Sequence, residues 1–246
     1  MLNRNATGQA AAISIVCKTP GVGGGKSRLR PLLGAERVAE LSACFIRDIA
    51  ETIDGLPQTI GGTRIAIYSP LGSEDALRPL LPSGWRLVLQ EAATIGQVLD
   101  ASTSAFLAEG HDCALVVNAD SPTLPGEVVE QAVAALRQPG DRVVFGPASD
   151  GGYYLIGLKR PHARLFEDIA WSTPTVLSHS RERAAEIGLP VTLLPMWYDV
   201  DDAATLAVLE SELAGHRPGF ASAGLMGGAA RHTRALLAAR LGTGAP

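Results

Sequence analysis

The chain has 246 residues, of which 46% are hydrophobic and 19% charged, a balance that suits a folded globular body and excludes a disordered chain or one embedded in a membrane. Its net charge of -4 excludes a surface built to neutralise long polyanions, so nucleic acid is not an expected partner, although a local basic loop still suits one small anion. Cys17, Cys44 and Cys113 are widely spaced within apolar segments and suggest neither a disulfide framework nor a zinc site, which fits a reducing, cytoplasmic setting.

The apolar stretch 10–17 is short for a signal core, and its β-branched content reads as a strand over 11–18. Thr19-Pro20-Gly21-Val22-Gly23-Gly24-Gly25 cannot continue that strand and forms a loop. Over 34–53, Val38, Leu41, Phe45, Ile46 and Ile49 recur at helical spacing. Strands are expected at 64–68 and 86–90, each followed by a helix, over 73–81 and 95–108. Residues 113–118 form a nearly continuous apolar run, as a strand buried on both faces of a parallel sheet requires, and 126–137 gives the next helix. Only a Pro/Ser/Asp/Gly turn separates the strand-like runs 142–146 and 153–158, so one antiparallel element is expected. A helix over 173–187 with Pro174 in its first turn, a strand over 191–194 and a helix over 202–213 complete the body.

This order predicts a single α/β domain over 11–214, helices on both faces of a sheet of about six or seven strands. Residues 215–246 are a C-terminal extension, flexible or helical, with helical composition over 229–241.

Ligands of open α/β sheets gather beyond the carboxyl ends of the strands, and several polar groups fall there. The loop 18–28 offers glycines for close backbone approach, with Lys18, Lys26 and Arg28 to meet phosphate. Gly25-Lys26-Ser27 matches the end of a Walker loop, but Pro20 stands where that motif needs its first glycine, and Pro31 obstructs a helix begun at the Lys-Ser pair. Asp120 follows the strand 113–118, where its carboxylate suits magnesium; an aspartate there equally caps a turn. In Asp199-Val200-Asp201-Asp202, period-two spacing puts Asp199 and Asp201 on one face, and Asp202 takes the role of helix cap. Asp150-Gly151-Gly152 reads as a tight hairpin turn that also lets a ligand lie close to the backbone. Trp171-Ser172-Thr173-Pro174 reads as the start of a helix and stays outside the expected site.

Taken together, Lys18-x-Pro20, Lys26-Ser27-Arg28-Leu29, Asp120-Ser121-Pro122, the stretch Gly146-Pro147-x-x-Asp150-Gly151-Gly152-Tyr153-Tyr154-Leu155-Ile156-Gly157-Leu158 and Asp199-Val200-Asp201 closely resemble the DUF2064 family over about residues 11 to 210. That family is similar to GT-A-type transferases and to the 2-phospholactate guanylyltransferases. The resemblance implies a three-layer, Rossmann-like nucleotide-diphosphosugar transferase fold with a mostly parallel mixed sheet. It further implies Mg2+ or Mn2+ held by Asp120, Asp199 and Asp201 against nucleotide phosphates. Family members often carry Gly-Asp-Leu-Gly-x-Arg after a glutamine, whereas Gln90 is followed here by Ala93-Thr94-Ile95-Gly96-Gln97-Val98, without either charge.

On this reading Lys18, Gly23, Gly24, Gly25, Lys26, Ser27, Arg28 and Gln90 bind the nucleotide, Lys26 and Arg28 act as the catalytic cations, and Asp150, Gly151, Gly152 and Tyr153 shape the acceptor side. The expected reaction moves NMP from an NTP to a small phosphorylated or anionic acceptor. The alternatives are glycosyl transfer from a nucleotide sugar and a non-catalytic nucleotide-binding module.

Overall fold

The computed structural model describes residues 10–22 and 24–242. Strand β1 (Ala12–Lys18) enters the glycine loop, which ends in a 3-10 turn (Ser27–Leu29), the short helix α1 (Arg30–Leu33) and the long helix α2 (Ala35–Asp54). Then come β2 (Thr63–Ser69), α3 (Glu74–Leu77), β3 (Arg86–Leu89), α4 (Ile95–Ala108), β4 (Ala114–Asn118) and α5 (Gly126–Arg137). The hairpin of β5 (Val143–Pro147) and β6 (Tyr153–Leu158) follows, then α6 (Val176–Glu186), β7 (Val191–Leu193), α7 (Ala203–Leu213) and α8 (Arg231–Gly242).

The strands form one sheet in the order β3-β2-β1-β4-β6-β5-β7. Strand β6 runs antiparallel to β4 and β5, and the other pairings are parallel. Side chains alternate across this sheet, so each strand feeds two cores. Ile13 and Ile15 pack with Phe45 and Ile49 of α2 and Val129 of α5 on one face, while Ala12, Ile65 and Ile67 pack with Leu99 and Phe106 of α4 and Val176 of α6 on the other. The result is the three-layer, mostly parallel mixed architecture expected from the alternation of elements.

Local chemistry explains the helix starts. The Thr94 hydroxyl accepts from the Gln97 N–H at 3.3 Å while the Gln97 side chain accepts from the Thr94 N–H at 3.2 Å, a reciprocal cap for α4. Asp202 caps α7 by accepting from the Thr205 N–H at 2.9 Å.

As expected, no α-helix begins at the Lys-Ser pair: a 3-10 turn spans Ser27–Leu29, and α1 starts only at Arg30, with Pro31 in its first turn, where its missing N–H has no helical partner to lose. Two expectations need correction. The helix expected over 73–81 is divided into α3 and a 3-10 turn (Arg78–Leu80), with Pro79 unable to donate to the preceding turn. The helix expected from 173 starts at Val176, because the Thr173 hydroxyl is spent on a local turn, donating to the Ala170 carbonyl at 2.6 Å, and Ser172 is left-handed at φ 62°.

Beyond α7 the chain folds back over α2. Asp48, only 3% exposed, accepts the N–H groups of His232 and Thr233 at 2.9 Å each, satisfying orphan donors at the start of α8. Leu225 and Ala221 join the core on the α2 face, and Phe220 meets the Tyr198 ring edge-on at 5.5 Å between centroids.

Candidate functional site

The parallel strands deliver Lys18, Gln90 and Asp120 to the same edge of the sheet, and β1 lies directly beside β4. The C-terminal acidic segment is brought there by backbone pairing. Trp197 bridges Ala148, Ser149 N–H donates to the Trp197 carbonyl at 3.0 Å, and Val200 N–H donates to the Asp120 carbonyl at 3.0 Å. That last bond sets Asp199 and Asp201 on either side of a residue tied to Asp120.

Lys26 closes the arrangement. Its ammonium lies 2.8 Å from Asp120 Oδ1 and 3.2 Å from Asp201 Oδ1, and it donates to the Val200 carbonyl at 2.7 Å. Its side chain is 4% exposed while those of Asp120 and Asp201 are 45% and 46% exposed, so the cation is sunk beneath two accessible carboxylates. Burial alone would drive the lysine toward neutrality, but the coulombic pull of Asp120 and Asp201 outweighs it and raises the pKa above the ordinary lysine value. The glycine loop and the acidic segments therefore form one charged contact.

Among the described residues Asp199 has no such partner. Burial first, then the neighbouring carboxylates of Asp150, Asp201 and Asp120, push its pKa up to about 7. Asp120, Asp150, Asp199 and Asp201 thus share one edge, with the buried Lys26 ammonium between two of them. Asp120, Asp199 and Asp201 offer hard oxygen donors crowded by mutual repulsion, and this donor chemistry fits Mg2+ or Mn2+, which prefer such oxygens. Arg28, exposed, is close enough to Asp202 to help hold that carboxyl below the usual range, after the hydrogen bonds from Thr205. Lys18 and Ser27 are exposed, Gly24 is exposed at φ 65°, Gly25 lies against the Lys18 side chain, and Gln90 is half-buried. Gly23 lies outside the described residues.

On the other flank, the Asp150 carboxylate accepts from the Gly152 N–H at 2.8 Å and pins the turn between β5 and β6. Gly151 has φ +90°, and a Cβ there would come within 2.1 Å of the Pro174 carbonyl oxygen, so only glycine lets the turn dock on the segment before α6. Tyr153 does not present its ring to an acceptor. The residue is 8% exposed, and its ring packs against Phe145 at 5.1 Å and Trp171 at 6.5 Å, because period-two alternation in β6 turns it into the core.

The sequence reading passed over three neighbours of this edge. The Asn118 amide donates to the Tyr153 carbonyl at 3.3 Å and ties β4 to the hairpin. Ser121, fully buried beside Asp120, has a hydroxyl without a hydrogen-bond partner among the described residues. Trp171 lies against Gly96, where a Cβ would meet the indole at 2.6 Å, so the segment left outside the site packs on the start of α4 and on the acceptor turn. The signals were a polar residue on each side of Asp120 and a glycine inside an otherwise apolar helix start.

The edge is open and shallow. The cavity under the glycine loop is about 90 Å³, and a larger one, about 480 Å³, lies elsewhere, between the end of α2 and α8. Charge and backbone placement mark this site better than volume does. Cys17, at the end of β1, is no nucleophile: burial and then Asp120 push its thiol up to about 12.

Residues 52–173 match the family described as uncharacterized protein conserved in bacteria, DUF2064. Across those residues the chain is similar to the DUF2064 family. The DUF2064 match takes in Asp120 and the Asp150 turn but neither Lys26 nor the Asp199-Asp201 segment. Among curated proteins none matches the chain by sequence.

Solved structures extend the likeness across the whole body. A Desulfovibrio desulfuricans G20 protein, provisionally named a nucleotide-diphospho-sugar transferase, is 25% identical with a TM-score of 0.79, covering 94% of this chain and 95% of its own. A CMP:2-keto-3-deoxy-manno-octonic acid synthetase complexed with CTP is 14% identical with a TM-score of 0.55, over 84% of this chain and 99% of that one. Glucosyl-3-phosphoglycerate synthase from Mycobacterium tuberculosis, in complex with Mn2+, UDP and glucosyl-3-phosphoglycerate, is 12% identical with a TM-score of 0.51, over 96% of this chain and 81% of that one. The last two likenesses establish the shared GT-A-like fold. No helix among the described residues is long and apolar enough to cross a membrane.

Proposed function

We propose that this chain is a metal-dependent nucleotidyltransferase that moves NMP from an NTP to a small phosphorylated or anionic acceptor. The observation that carries the proposal is the Lys26 ammonium held between Asp120 and Asp201 at the carboxyl edge of the sheet, with Asp199 and Asp150 unneutralised beside it. Phosphoryl chemistry needs few covalent contributions from a protein; it needs positioned charge. An acceptor oxygen attacks the α-phosphorus, the bond to the bridging oxygen breaks, and its electron pair leaves on pyrophosphate.

The exposed cations Lys18 and Arg28 meet the phosphates from the loop, where the missing side chains of Gly24 and Gly25 let a ligand lie close to the backbone. Lys26 stabilises negative charge developing on the leaving side. Asp120, Asp199 and Asp201 are the residues that would hold Mg2+ or Mn2+. The ion, when bound, neutralises phosphate charge as a Lewis acid. The turn Asp150-Gly151-Gly152 shapes the acceptor side through its backbone and the Asp150 carboxylate, with the Tyr153 ring serving as packing beneath it.

The test is product analysis with purified protein, Mg2+, each of the four common NTPs and a panel of small phosphorylated acids. Pyrophosphate released only when both substrates are present supports the proposal. A second reading, glycosyl transfer, is favoured by the name of the 25% identical neighbour; a nucleoside diphosphate released from a sugar donor would establish it instead. Tight nucleotide binding without turnover of either kind would point to a non-catalytic module.

A further inference from the structure

Lys26 is held more tightly than a phosphate-binding lysine on a mobile loop needs to be. Its ammonium contacts Asp120, Asp201 and the Val200 carbonyl, and it lies 5.1 Å from the centre of the Phe45 ring. Its backbone is left-handed, at φ 51° and ψ 46°, which a non-glycine residue keeps only when its surroundings impose it. On its N-terminal side the loop bends at Gly21 and Gly24, both at positive φ. A strained residue is clamped at its tip, and a glycine hinge lies behind it.

An ammonium at 2.8 and 3.2 Å from two carboxylate oxygens fills the space between them. A divalent ion bound to those oxygens sits about 2.0–2.1 Å from each, and two cations that close repel strongly in a partly buried site. The two cannot occupy the same Asp120 and Asp201 Oδ1 atoms together. An ion arriving alone must also expel the ammonium from the two carboxylates and the Val200 carbonyl that hold it. An ion arriving with a nucleotide brings phosphates that accept the displaced charge.

We propose that Lys26 is a resident counter-ion exchanged for the metal, so that the divalent ion enters as its nucleotide chelate and the freed ammonium swings on the glycine hinge to the nucleotide phosphates. This rests on the reading that Asp120 and Asp201 receive the metal. It makes the metal–nucleotide complex the true substrate and gives metal and nucleotide a positive binding coupling.

The experiment measures Mn2+ binding to the full chain, by electron paramagnetic resonance, without and with a non-hydrolysable NTP. Lys26→Met keeps most of the side chain and removes the charge. It is expected to bind Mn2+ alone at least about tenfold more tightly than wild type and to lose most of the coupling to nucleotide, whereas Lys26→Arg stays close to wild type. A natively folded Lys26→Met variant that binds Mn2+ no more tightly overturns the exchange.

Lysine acylation read by mass spectrometry tests the wild-type chain directly. Lys26 is expected to be protected without Mn2+ and labelled at saturating Mn2+ alone; continued protection also overturns the exchange. Asp120→Asn separates the two levels of failure. If it leaves Mn2+ binding unchanged, the metal reading falls as well; if it abolishes Mn2+ binding while Lys26→Met gains none, only the exchange falls.

Discussion

Asp48, Glu51 and His232 bring their ligand atoms within 4.8 Å of one another, and among the described residues no other trio of such side chains is so compact. The carboxylates at the sheet edge are more loosely spread, yet they make the better case for a functional site. The difference is satisfaction. Both Asp48 oxygens accept backbone N–H groups of α8, and the Glu51 oxygens are taken by Arg231 at 2.7 Å and His232 at 2.9 Å. Asp199, in contrast, is crowded by like charge and has no cation of its own among the described residues. Proximity of ligand atoms marks a helix cap as readily as a metal centre; unrelieved charge separates the two.

Mutations at the two clusters should therefore fail in opposite ways. Asp120→Asn combined with Asp199→Asn should lower turnover by on the order of 10²-fold or more while leaving thermal unfolding close to wild type, since positioned charge at such centres is worth that much. Steady-state kinetics beside a melting curve checks both halves, and a folded double variant with full turnover would remove the sheet edge from the mechanism. Asp48→Ala should do the reverse, costing about 2–3 kcal/mol of stability by stranding two N–H groups at the start of α8 while the folded fraction keeps its activity. Denaturant unfolding measures it.

Gly151→Ala should cost about 1–3 kcal/mol and raise the KM for the acceptor more than that for the nucleotide, because a Cβ there strikes Pro174 and shifts the turn. The smallest effect is acid loosening of α8. Partial burial raises the Glu51 pKa, but the hydrogen bonds from His232 and Arg231 win and hold it below the usual carboxylate range. That stabilisation is complete above the unfolded carboxylate pKa and is lost as pH falls through the lowered folded value. Amide exchange along α8 should accelerate over that acid window before it does in the sheet.

Much of the fold was legible because local signals and the period of burial agree. The helices Ile95–Ala108 and Gly126–Arg137 and the strand Tyr153–Leu158 fall where the apolar spacing places them. Asp202 could be named as a cap because it stands just ahead of an apolar-periodic run. The site was legible only as separate pieces. Nothing in a glycine-rich loop says that its lysine will be left-handed and face inward, since that depends on carboxylates 94 and 175 positions further along the chain, at Asp120 and Asp201. Asp48 was invisible for a related reason: it sits on the buried side of α2, and the N–H groups that justify it arrive from residues 232 and 233. Tyr153 was misjudged because a family motif records which residues recur and not which way alternation turns them.

The bond between Val200 N–H and the Asp120 carbonyl joins segments about eighty residues apart, and Lys26 ties both to the start of the chain. Contacts of such sequence separation carry a loop-closure entropy that the folded body has to offset. The charged edge therefore exists only where these distant segments are held together. A ligand that grips it binds only the finished molecule and acts as a clasp across its earliest and latest parts, so its presence should be felt in resistance to heat and proteases as well as in catalysis.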